Sequence, residues 1–193
     1  MGKPSIPYIL FAVYLAIGVL LIILFDGTGD DGDSVNHYLF ARYAPIHPAL
    51  FFNHWAKPIF TFLAARFAQF GLLGIKAFNL IVSAISSFLV FKTARTIGMK
   101  NPWMAMLIML ACPFGFVVAL SGLTEPLFGL FTAIGIHLLA RERYTWSAGM
   151  FNSMGLKRVF VANIPCVGLI ALVGFHGLMD LAKKLHVKAP SVS

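Results

Sequence analysis

From Pro7 to Phe25 the chain reads PYILFAVYLAIGVLLIILF, a run without one charged residue. Folded as an α-helix it would rise about 28 Å, close to the ~30 Å hydrocarbon thickness of a bilayer. Water offers such a run only the interior of a sizeable core. Composition decides between the two settings: the 193 residues are 59% hydrophobic and 11% charged, with a mean hydropathy of +0.85. A soluble domain carries roughly 25% charged residues. Too few charges are present here to cover a water-facing surface, so the chain is expected to lie in a membrane. A cleaved leader is the competing reading of the first run. Lys3 makes only a weak basic start, the apolar stretch exceeds the ~7–15 residues of a leader core, and no A-x-A-like site precedes Asp26. An uncleaved first crossing over 7–25 is expected.

Further apolar segments follow. Pro58 opens a helix expected to run from 58 to 91, dipping first and then crossing, with Pro at the favoured first position. The stretch 102–140 is long enough for a hairpin of two crossings, its turn placed near 113–124 by Pro113, Gly115, Ser121 and Gly122. A last crossing is expected over 159–179. The fold class expected is all-α: a polytopic membrane bundle of about five transmembrane helices, with a membrane module over 1–148 and an unassigned segment over 149–193. Cys112 and Cys166 both lie within apolar runs without metal-like or CxxC spacing, which reads as inert buried thiols.

The net charge of +8 does not point to nucleic acid, because the basic residues stand in short clusters beside apolar segments. That distribution is what the positive-inside rule describes. The loops at 92–100 and 141–158 carry Lys92, Arg95, Lys100, Arg141, Arg143, Lys157 and Arg158, and are expected on the cytoplasmic side. The loop at 26–57 has four acids against two bases and is expected to face outward. The expected setting is an integral, multi-pass protein of a bacterial inner membrane rather than of the endoplasmic reticulum. Lys183, Lys184 and Lys188 fit this scheme poorly if 159–179 crosses.

That outward loop, DGTGDDGDSVNHYLFARYAPIHPALFFNHWAK over 26–57, is the polar part of an otherwise apolar chain. Val35, Tyr38 and Leu39 are spaced for an amphipathic helix over 34–43 at the membrane surface, with Asp33 and Ser34 both suitable as its N-cap. Asp30, Asp31 and Asp33 could hold a divalent cation, act as a general base, or stand as solvated charges. The calcium-loop pattern fails, since the sixth position counted from Asp26 is Asp31 where glycine is required. His47, His54 and Lys57 could meet a phosphate; the H-x6-H spacing matches no zinc pattern. Glu125, a carboxylate in an apolar hairpin, is either a functional group or a helix-start residue reaching water. His137 and His176 read as packing residues. Walker, dinucleotide and G-x-S-x-G motifs are not found.

Taken in order, DDGDSVNHYLFARYA, HPALFFNHWAKPIFTFLA and a hairpin containing LTEPLF resemble the amino-terminal part of the GT-C-type membrane glycosyltransferases, which use polyprenyl-phosphate-linked mannose or arabinose. The resemblance covers roughly residues 5–147 and rests on the order and spacing of short motifs. It implies transfer of a sugar from a polyprenyl-phosphate donor to an acceptor on the outer face. By motif match it puts the catalytic carboxylate on Asp33, with Asp31 next, and a divalent cation (Mg or Mn) on the same pair. It further implies substrate contacts at Tyr38, His54, Lys57 and Glu125, and as partners the bilayer, the lipid-linked donor and other membrane subunits. Members of that family usually have eight or more crossings, against about five here, and the pattern is lost after 148. A fragment or shortened relative is therefore one expectation. A non-catalytic accessory or lipid-carrier-binding subunit is the alternative.

Overall fold

A computed structural model describes residues 6–28, 32–53 and 57–153. Asp30, Asp31, His54 and the expected crossing at 159–179 lie outside the described residues. Among the described residues the protein is all-helical: α1 (Ile6–Leu24), α2 (Asp33–Tyr43), a 3-10 turn (Pro48–Phe52), α3 (Pro58–Ala68), α4 (Leu72–Thr96), α5 (Pro102–Leu110), α6 (Pro113–Ala119), α7 (Glu125–Ala140) and α8 (Tyr144–Ser153). Proline stands in the first turn of α3, α5, α6 and α7, where its missing N–H costs nothing and its fixed φ suits a helix start.

α1 and α4 are long and apolar enough to cross a membrane. α5 and α6 meet that test as a pair, bent by 63° where Cys112 and Pro113 interrupt the helical ladder. The expected single helix over 58–91 is not what forms. It is broken at Gln69, Phe70 and Gly71, the last with φ 78, a left-handed conformation that glycine adopts without steric cost. α3 then ends against the first turn of α4, so closely that a Cβ on Gly74 would fall 1.8 Å from the Phe67 carbonyl oxygen.

α4 is the shared element of the bundle. Its Leu80 and Ala84 pack with Tyr14, Ile22, Met106 and Leu110 on one side. Its Ile75, Phe78 and Val82 pack with Ala41, Phe60 and Leu127 on the other. Fully buried alanines at 41, 64, 68 and 84 let the helices approach closely, as small residues do in membrane bundles. Side-chain pairs give the directions. Tyr8 and Phe11 meet Phe88 while Gly18 meets Leu80, so α1 and α4 are antiparallel. Asn79 reaches Ser121 and Thr93 reaches His137, so α4 and α7 run the same way.

The bundle thus has two distinct ends. The acidic-loop end holds the end of α1, the starts of α2, α4 and α7, and the segment 121–124. The basic end holds the last turns of α4 and α7. Lys76, only 1% exposed, sits near the acidic-loop end and donates from Nζ to the Phe25 carbonyl oxygen at 2.6 Å. A cation there complements the negative end of the α1 dipole. Lys76→Met should cost about 1 kcal/mol, because the Phe25 carbonyl, on an exposed residue, can turn to water instead. Unfolding in detergent micelles measures this, and a loss above that of Asn79→Leu (see Discussion) would show that Lys76 holds more than one helix end.

Candidate functional site

α2 begins at Asp33 behind Gly32, whose φ of 108 turns the chain into the helix and whose carbonyl accepts the Asn36 N–H at 3.1 Å. The N-cap is therefore Gly32, in place of the expected Asp33 or Ser34, and no side chain closes this end. Both candidates are thereby released for other uses. Asp33 lies exposed in the first turn, where the helix dipole favours a carboxylate. Ser34, fully buried, accepts the Gly122 N–H on its Oγ at 2.8 Å. The face of α2 turned into the bundle is Ser34, His37 and Ala41, while Val35 and Leu39 are exposed.

The segment after α6 is held from the other side by Asn79. Its Nδ2 donates to the Ser121 and Leu123 carbonyls at 2.9 and 2.8 Å, and the Ser121 hydroxyl accepts the Leu123 N–H at 3.1 Å. Residues 121–124 are thus fixed between α2 and α4 before the chain enters α7 at Glu125. Glu125 is half-buried, and its Oε2 is enclosed with no hydrogen-bond partner among the described residues, as is Oδ1 of Asn79. An enclosed carboxylate oxygen is costly to leave unmatched, which argues against the reading of Glu125 as a freely solvated helix-start residue.

Lys57 and Pro58 lie on the opposite wall. Lys57, Ile59 and Phe60 face Thr124, Leu127 and Phe131 across a mostly apolar cavity of about 140 Å³. Tyr38 packs against the cluster of Ala41, Phe60 and Leu127 with its hydroxyl engaged: Arg42 donates to it, and the guanidinium carbon stands 5.7 Å from the ring centre. That hydrogen bond holds the half-buried Arg42 guanidinium further above its usual range. His47 is exposed ahead of the 3-10 turn.

Of the expected site residues, the structure gathers Asp33, Lys57 and Glu125 at one end of the bundle, with Tyr38 on the same helix as Asp33; Asp31 and His54 lie outside the described residues. Among the described residues no group of three or more His, Cys, Asp or Glu is placed to hold a metal ion. Among the described residues of the acidic loop, Asp33 offers a single carboxylate. The residues overlooked in the sequence are Asn79 and Lys76. Their signal was present, since a polar or charged side chain inside an apolar helix marks a buried role. Searches against family models, curated proteins and solved structures found no match for this chain.

Proposed function

We propose that this chain is the membrane-embedded, donor-side module of a GT-C-type glycosyltransferase acting on a polyprenyl-phosphate-linked sugar. One observation carries the reading. The short motifs behind the sequence resemblance stand far apart in the chain, yet the fold assembles them at one end: Ser34 of the acidic motif bonds Gly122 beside TEP, and Lys57-Pro58 faces Thr124. Asp33 would accept the proton of the acceptor hydroxyl as it attacks the anomeric carbon. Lys57 would offset the charge that develops on the departing lipid phosphate. Among the described residues, α1 and the bent pair α5–α6 run toward the acidic-loop end, and α4 and the shorter apolar helix α7 run away from it. This order supports an outward acidic loop with Lys92–Lys100 and Arg141–Arg143 on the cytoplasmic side.

The test is transfer from a radiolabelled polyprenyl-phosphate sugar in native membranes. Asp33→Asn should lower the rate about a hundredfold or more, with insertion and amount of protein unchanged. Equal rates for variant and wild type would remove Asp33 from the chemistry. The second reading, an accessory or carrier-binding subunit, is favoured by cavity size: about 140 Å³ beside Lys57, against roughly 300–1,000 Å³ for ligand pockets. Inserted wild-type protein that transfers nothing alone but co-purifies with a larger membrane enzyme would decide for it.

A further inference from the structure

At the other end of the bundle, Lys92, Arg95 and Thr96 of α4 and His137 and Arg141 of α7 line one open depression of about 380 Å³. We propose that this depression binds the phosphate of an anionic lipid headgroup. The inference is independent of the sugar-transfer reading.

The first support is that, among the described residues, Lys92, Arg95 and Arg141 are not needed to cap their own helices. Basic residues often collect at helix C-termini to satisfy the last carbonyls, but here the backbone does so. In α4, Gly98 with φ 78 lets its N–H reach the Arg95 carbonyl and the Met99 N–H reach that of Ala94. In α7, Glu142 with φ 61 plays the same part: its N–H bonds the Leu139 carbonyl, and the Arg143 N–H that of Leu138. Lys92, Arg95 and Arg141 are all exposed. Glu142, the nearest acid in the chain, is not among the residues lining the depression.

Two further features shape the site. The Thr93 hydroxyl, which donates to the Leu89 carbonyl at 2.8 Å, stands 3.1 Å from His137 Nδ1 and ties the ring to α4. The Lys92 ammonium lies 5.2 Å from the Phe88 ring centre, a cation–π contact that holds the charge beside the depression. From Lys76 to Arg95 an α-helix rises about 28 Å, which is roughly the hydrocarbon thickness. If the Lys76 level marks one interface, the depression lies at headgroup level on the other. Basic pockets between membrane helices recognise anionic headgroups in this position.

The test compares lipids retained by the full chain released from nanodiscs of equal phosphatidylglycerol and phosphatidylcholine, read by native mass spectrometry. Wild-type protein should keep phosphatidylglycerol about ten- to hundredfold over phosphatidylcholine. The triple variant Lys92→Gln, Arg95→Gln, Arg141→Gln should lose that preference, and Arg66→Gln, an exposed charge on α3, should keep it. All four substituted positions are exposed, so folding is not at stake. No lipid preference in the wild type, or equal loss in Arg66→Gln, would overturn the site. Displacement of the lipid by inorganic phosphate, but not by chloride at equal ionic strength, would overturn the lipid assignment in favour of a soluble phosphate.

Discussion

Gly122→Val is expected to cost about 3 kcal/mol or more and to detach α2 from the segment that leads into α7. A Cβ at position 122 would lie 2.5 Å from the Ser34 carbonyl oxygen and 3.0 Å from the Ser34 C and Cα atoms. All three are backbone atoms and no rotamer moves them aside, so α2 itself must shift. Overpacking of this kind costs typically 1–3 kcal/mol, and the shift also breaks the 2.8 Å bond from the Gly122 N–H to Ser34 Oγ, worth about 1 kcal/mol more. Ser34→Ala separates the two contributions, since it loses the bond without adding the clash and should cost only about 1 kcal/mol. Reversible unfolding in mixed micelles gives both values. A Gly122→Val protein as stable as wild type would mean that α2 and the 121–124 segment are not apposed. If the proposed sugar transfer is right, the same substitution should also abolish it, because the shift of α2 displaces Asp33.

Asn79→Leu should be the next most damaging change, at about 2–4 kcal/mol. The side chain is fully buried, and its amide is the partner of two carbonyls, Ser121 and Leu123. Leucine fills a similar volume and leaves both without that donor, and each buried orphan costs about 1–3 kcal/mol before relaxation. The amide also has a definite orientation, because two acceptors must face Nδ2. Asn79→Asp keeps the shape and sets a carboxylate oxygen against those carbonyls, so it should be worse than Asn79→Leu. If Asn79→Asp proved the milder of the two, the orientation of the amide would be wrong and the 121–124 segment would be held by something else.

Both residues show where reading a sequence stops. Ser34 and Gly122 are ordinary in their local contexts. Asp33 and Ser34 each look like an N-cap, and nothing nearby reveals that Gly32 takes that position while the hydroxyl of Ser34 serves a backbone N–H 88 residues away. The helix over 58–91 failed for a similar reason. Gly71 and Gly74 mark a weak point there, but the full break at Gln69–Gly71 depends also on how α3 packs against the first turn of α4, which sets Gly74 against Phe67.

What the sequence alone determined was the all-helical class, the apolar run at 7–25 as one helix and the proline-marked start at 58, while the turn expected near 113–124 is confined to 120–124 because 113–119 forms α6. These follow from length, hydropathy and local backbone chemistry, which act within a few residues of one another. Tertiary structure alone decided that α4 is the shared helix, that Lys76 and Asn79 spend their polar atoms on the carbonyls of Phe25, Ser121 and Leu123, and that Asp33, Lys57 and Glu125 share one end. Those outcomes depend on which buried polar group finds which partner once the helices are packed. The partner is chosen by distance in space, and spacing along the chain carries no record of it.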